Sequence, residues 1–112
     1  MEDINSLVSL VAKAAGKPQD KYPVLKKLSE EEALIMVLGH SQTHLSMVTG
    51  KIGKIVHDAD HSGSIKENIE KLKEELFSAI FTICVFADTL EMSGEELLNG
   101  TAGLAKSILK GS

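Results

Sequence analysis

Three Ser-x-x-Glu tetrads punctuate this chain: Ser29-Glu30-Glu31-Glu32, Ser64-Ile65-Lys66-Glu67 and Ser93-Gly94-Glu95-Glu96. Each opens a run of apolar residues that recur every three or four positions. In such a tetrad the serine hydroxyl accepts from the backbone N–H three residues on, and the glutamate reaches back to the serine N–H. Two donors at a helix start that no helical carbonyl can reach are thereby paired. With three such starts and no sustained apolar/polar alternation between them, the chain is expected to fold as an all-α protein.

The remaining boundaries follow from local chemistry. Ile4, Leu7, Val8, Val11 and Ala15 fall at helical spacing, with Asp3 placed to cap the start and Gly16 to end it. Both prolines lie in 16–23, which reads as a linker, and Val24–Leu28 has room for one short helical turn. From Glu30 the stripe Leu34, Val37, Leu38, Leu45, Val48, Ile52, Ile55 and Val56 holds to one arc. It predicts a helix to about His57, roughly 40 Å long at ~1.5 Å per residue. Gly39, Gly50 and Gly53 lie on its far side and permit a kink near Gly50.

The polar stretch His57–Gly63 reads as a connector, and the next helix as Ile65 to about Glu91, begun by the Ser64–Glu67 box. That helix is one-sided as far as Leu76 and apolar nearly all round from there to Ala87, the pattern of a helix covered on more than one side. In 112 residues, this makes it either the centre of a bundle or a contact between subunits. A last helix follows Ser93 and carries Leu97, Leu98, Leu104, Ile108 and Leu109, loosened by Gly100 and Gly103. The expected architecture is one domain, 1–112, built as a four-helix bundle. Residues 1–23 form an N-terminal helix and linker, and 24–112 form the core.

Composition narrows the function. All 12 basic residues are lysines, and the formal net charge is −4. Without arginine there is no planar fork for phosphates or guanine edges, and Phe77, Phe81 and Phe86 sit where they pack rather than stack on bases. Nucleic-acid binding is therefore not expected. Ser78, Thr82 and Asp88 interrupt the most apolar segment, so no membrane span is expected. The acidic start Met1-Glu2-Asp3 is unlike a signal peptide, and a cytoplasmic protein is expected. The single cysteine, Cys84, can form neither an internal disulfide nor a cysteine zinc site; amid Ile83, Val85 and Phe86 it reads as a core residue.

The histidines form two i, i+4 pairs, His40 with His44 and His57 with His61. On a helix that spacing puts two imidazoles on one face, within reach of one metal ion. The alternative is that His40 and His44 flank the core stripe beside Met36 and Met47, while His57 and His61 are solvated. Glu74 and Glu75 cannot share a helix face, so one points inward, where it needs a cation or donor; alternatively Glu75 pairs with Lys71 in water. Ser62-Gly63-Ser64 lacks a phosphate-loop pattern and reads as a turn plus a cap.

The segments Glu74-Glu75-Leu76-Phe77-Ser78-Ala79-Ile80 and Phe86-Ala87-Asp88-Thr89-Leu90-Glu91-Met92-Ser93-Gly94-Glu95-Glu96-Leu97 resemble the MazG-like all-α nucleotide pyrophosphohydrolases. The likeness covers roughly 30–110 and lies mostly in the apolar framework. It implies a bundle that assembles as a dimer or tetramer, here through the third main helix. It also implies an Mg²⁺-dependent cleavage of nucleoside triphosphates to monophosphate and pyrophosphate. The family takes its metal ligands from an EExxE motif on one helix and ExxD on the next. With Leu45 set on the leucine after EExxE, His40, Ser41 and His44 stand where glutamates are expected. Glu75 keeps the glutamate of ExxD, and Ser78 replaces its aspartate. The family's Lys…Asn…Arg set falls on Thr101, Ala105 and Lys106, where only Lys106 keeps its basic character.

Glu75, with Glu74 beside it, is thus the candidate catalytic carboxylate. The candidate metal ligands are His40, His44 and Glu75, a set suited to Zn²⁺ or another transition metal rather than Mg²⁺. The candidate nucleotide-binding cations are Lys51, Lys54 and Lys106. Three functions fit. First is a relative of the pyrophosphohydrolases that has lost catalysis and binds nucleotide or assembles. Next is an active pyrophosphatase with an altered metal site. The third is a histidine-based metal protein.

Overall fold

The computed structural model describes residues 3–111, and among them every regular element is helical. Helix α1 (Ile4–Ala15) starts where the Asp3 carboxylate accepts from the Ser6 N–H at 2.7 Å and ends at Gly16, φ 76°. The linker holds a single turn, α2 (Pro18–Lys21), and a 3-10 turn, Pro23–Lys27. Helix α3 (Glu30–Ser62) carries a complete capping box, with the Glu32 N–H on the Ser29 hydroxyl and the Ser29 N–H on the Glu32 carboxylate, each at 3.2 Å. Its 33 residues extend about 50 Å and set the 51 Å long dimension of the molecule. Helix α4 (Ile69–Thr89) folds back along α3, and α1 packs on α4. Helix α5 (Gly94–Gly111) leaves at a bend of 111° to the preceding helical segment. No single helix among the described residues is long and apolar enough to cross a membrane.

Three expectations about α3 and α4 are corrected. The segment from His57 to Ser62 is not a connector but the last turns of α3, with Ala59 buried and His57, Asp58, Asp60 and His61 exposed. Its polar residues mark a solvated face rather than a loop. The helix stops at Gly63, φ 74°, whose N–H returns to the Ala59 carbonyl, as does that of Ser64 at 3.1 Å. Ser64 is thereby spent on ending α3, so its box with Glu67 does not form. The chain makes a 3-10 turn, Lys66–Asn68, and α4 begins at Ile69 with no side-chain cap. Nor does α3 break at Gly50; its three interior glycines have open space where a side chain would stand.

The third tetrad works, with help from far away in sequence. The Ser93 hydroxyl accepts from the Glu96 N–H at 3.0 Å, and the Asn5 side chain accepts from the Glu95 N–H at 2.7 Å. The starts of α1 and α5 therefore touch backbone to backbone. A Cβ at buried Gly94 would collide with the Ile4 carbonyl and lie 2.7 Å from the Asn5 nitrogen. The corner before it contains Glu91 at φ 59°, a left-handed conformation that L side chains adopt at a cost. It lets the Met92 N–H reach back to the Ala87 carbonyl at 2.8 Å.

The core is small. Val8 and Val11 of α1 close over Cys84 of α4, which is 1% exposed, with Leu7 and Val85 beside them. Burial pushes the Cys84 thiol up in pKa, which suits a core residue and not a nucleophile. On the seam with α3 the buried residues are Ser41, Val48 and Ala59. The C-terminal half of α4 buries Thr82, Cys84 and Ala87. Yet Leu76, Phe77, Ile80 and Phe81, in the segment expected to be covered all round, are exposed, Phe77 by 70%.

The corner supplies a pair of opposite predictions. Gly94→Ala should destabilise by about 3 kcal/mol, because backbone cannot yield as a side chain can, whereas Glu91→Gly should stabilise by about 1 kcal/mol by relieving the left-handed strain. Urea unfolding of the two variants measures both. Acid should act on the caps. The Ser6 N–H holds the Asp3 carboxyl below its usual value, and Ser29, through its hydroxyl first, does the same for Glu32. Carboxyls depressed on folding stabilise above their unfolded values, 3.8 and 4.5, and that contribution disappears as pH falls through the folded values. A pH series of melting curves should show Ser29→Ala losing stability at pH 7 and the gap to the wild type narrowing in strong acid, down to the pH-independent part that the Ser29 hydroxyl supplies by accepting from the Glu32 N–H.

Candidate functional site

The α3 face that meets α4 contains one hydroxyl, Ser41, buried on the seam near Thr82. At 100° per residue, His40 and His44 stand beside it at the rim of the seam. The linker closes over that rim. Gly16 turns the chain out of α1, and α2 and the 3-10 turn lay Lys21, Tyr22, Val24 and Leu25 against α3. The result is a cleft of about 330 Å³, apolar through Val24, Leu25, Met36, Val37 and Val85. A second lobe of about 270 Å³ continues past His44 to Phe81 and Thr82, and Lys21, His40 and Ser41 line both.

The polar groups meet at His40. The Tyr22 hydroxyl and the His44 Nε2 each lie 3.0 Å from the His40 Nε2. The rings are edge-on, with centroids 5.1 Å apart for Tyr22–His40 and 4.5 Å for His40–His44. His40 and His44 do flank the core stripe, and they do so from an exposed rim. His57 and His61 repeat the pairing at 3.1 Å on the exposed last turns of α3, where the Asp58 carboxylate lies 3.7 Å from the His57 Nδ1.

Several residues singled out in the sequence are not brought here. His40, His44 and Glu75 do not converge; among the described residues no group of three or more His, Cys, Asp or Glu could hold one metal ion. The reason is register. In the hairpin His44 sits opposite Phe81 and Thr82, and Glu75 lies about two turns nearer the start of α4, or about 10 Å at the helical rise. Glu74 is exposed, as the i, i+1 geometry requires when Glu75 turns inward. The Glu75 Oε2 is buried without a hydrogen-bond partner, and no ion pair links it to Lys71. Nor do Lys51, Lys54 and Lys106 line either lobe; Lys54 instead approaches Asp58 at 3.7 Å across an exposed turn. Lys21 and Tyr22 take the place expected of those lysines. They lie in the linker, where the only sequence signal was an aromatic residue pressed between Lys21 and Pro23.

The cleft has no carboxylate in either lobe. Mg²⁺ takes hard oxygen ligands in an octahedron, generally with at least one carboxylate. Two imidazoles, two hydroxyls, a phenol and a lysine do not fit it.

A buried carboxylate oxygen with no donor costs about 1–3 kcal/mol, so Glu75→Leu should raise the melting temperature. A fall would mean that the carboxylate has a partner in the assembled protein. Comparisons with protein-family models, with curated proteins and with solved structures found no match to this chain.

Proposed function

We propose that this chain is a MazG-like helical assembly protein that does not hydrolyse nucleotides. The observation that carries this proposal is surface. The chain exposes 8452 Å² at 12.0 kDa, whereas a monomer of that mass exposes about 6,000 Å². Its radius of gyration, 17.1 Å, exceeds the roughly 13 Å of a compact chain of this length. The excess matches the ~1,000–2,500 Å² that each protomer of an obligate dimer buries.

Exposed apolar side chains occur on all four long helices, and on α4 they form one stripe. Helix α1 covers α4 around Cys84 and Val85, and the face that carries Cys84 runs on uncovered through Ile69, Leu76, Phe77 and Ile80. Beyond Ala102 every described residue of α5 is exposed, Leu104 and Leu109 among them. One stripe on one straight helix suits a two-fold contact, in which each copy covers the other with the same residues. The carboxylate-free cleft supports the absence of catalysis, and the lysines Lys51, Lys54 and Lys106, spread outside it, make nucleotide binding the second choice.

Light scattering and sedimentation of the untagged protein test the proposal. A dimer or larger species is expected at micromolar concentration, with no pyrophosphate released from nucleoside triphosphates in Mg²⁺ or Mn²⁺. The double variant Phe77→Glu, Ile80→Lys should be monomeric with its helix content retained, since both side chains lie outside the buried cluster around Cys84. A monomeric wild type overturns the assembly role. Metal-dependent pyrophosphate release that Glu75→Ala abolishes would restore the enzyme. A nucleotide that raises the melting temperature without turnover would favour a binding protein.

A further inference from the structure

Independently of assembly, we infer that His40, His44 and Tyr22 form a three-donor site for a borderline divalent transition ion: Cu²⁺, Ni²⁺ or Zn²⁺. The starting point is a mismatch at one atom. An imidazole nitrogen has a single in-plane position, which holds either a proton or a lone pair. The His40 Nε2 has two neighbours at 3.0 Å, the Tyr22 hydroxyl oxygen and the His44 Nε2, and one position cannot make linear hydrogen bonds to both. A cation coordinated by both Nε2 atoms, with the Tyr22 hydroxyl 3.0 Å from one of them as the third donor, removes the conflict, because each donor then presents a lone pair to the ion and not to its neighbour.

The geometry suits such an ion. Two nitrogens 3.0 Å apart, each about 2.1 Å from a metal, subtend about 90° there. Neighbouring ligands of tetragonal Cu²⁺ or octahedral Ni²⁺ meet at that angle, and Zn²⁺ needs only a slight opening. Coordination through Nε2 leaves Nδ1 as the protonated nitrogen on both rings. His40 and His44 are one turn apart on α3, so their spacing is fixed by a helix that is unbroken from Glu30 to Ser62. Tyr22 enters from a linker that Gly16 and two prolines hold against α3. The donors are two imidazoles and a phenol, with no carboxylate, which selects against Mg²⁺ and Ca²⁺. The site opens onto the cleft beside Lys21, so an anion is the favoured occupant of a remaining coordination position. The His57–His61 pair has the same separation but no third donor at its Nε2 atoms, and it serves as the internal control.

Calorimetric titration of untagged protein with NiCl₂ and CuCl₂ provides the test. To isolate the site, it begins from the His57→Ala, His61→Ala variant, which should still bind one ion per chain. Adding His40→Ala or His44→Ala should abolish that binding. Because both side chains are exposed, circular dichroism should show the helices intact. Binding Cu²⁺ displaces the Tyr22 phenolic proton to solvent, so Tyr22→Phe should weaken binding about tenfold and remove a visible phenolate-to-copper absorption. Absence of binding in the His57→Ala, His61→Ala variant overturns the site. So does binding that survives loss of His40 and His44, or a Tyr22→Phe variant with unchanged affinity and spectrum.

Discussion

Helix α4 is packed on two faces at its C-terminal end and on one face at its N-terminal end, and the rest of the structure depends on that asymmetry. At the C-terminal end α3 holds Thr82 and α1 holds Cys84, so two interfaces share one turn of helix. The contact of Val8 and Val11 with Cys84 fixes α1 across α4. That in turn brings Asn5 to the start of α5 and lays Gly16 and the linker over the rim of α3. The cleft exists because α1 ends there. The uncovered stripe exists for the same reason: twelve residues of α1, about 18 Å, cannot cover the twenty-one of α4.

This arrangement separates two chemistries along one hairpin. Near the open end of the seam, His40, Ser41 and His44 face Thr82 and the linker, a polar site with no carboxylate. Nearer the turn, the seam is apolar apart from Glu75, one of whose oxygens is buried without a donor. For both to serve one ion, the hairpin would have to shift by about two turns. Such a shift would also drag Val48 and Ala59 out of register with α4, so the separation is built into the core and not into side-chain rotamers.

Much of the fold was legible because helix starts are local. Asp3, Ser29 and Ser93 each cap as expected, with donors no more than three residues away. Ser64 fails for a reason that no tetrad can show: the preceding helix had already used its amide through the left-handed turn at Gly63. Likewise His57–Ser62 looked like a loop because its residues are polar, when polarity reported only that this face of α3 meets water. The apolar run from Leu76 to Ala87 was read as covered on several sides. Within one chain it is covered at Thr82, Cys84 and Ala87 and open at Phe77. Periodicity measures how apolar a face is; it does not say whether the covering surface belongs to the same molecule.

The cleft was half legible, and the missing half is instructive. His40 and His44 announce themselves by spacing, since two positions four apart on a helix must lie together. Their third neighbour, Tyr22, is eighteen positions from His40 and reaches it only because Gly16, Pro18 and Pro23 fold the linker back. No periodic signal encodes that return. The same limit explains why Glu75 looked like a partner for the histidines. Family resemblance supplied a register for the hairpin, but the register of two packed helices is set by side chains such as Ala59 and Val48 that no motif contains. A site assembled from one helix is readable from spacing alone. A site completed by a loop depends on the few residues that turn the chain, and here those are the glycine and prolines that carry no chemistry themselves.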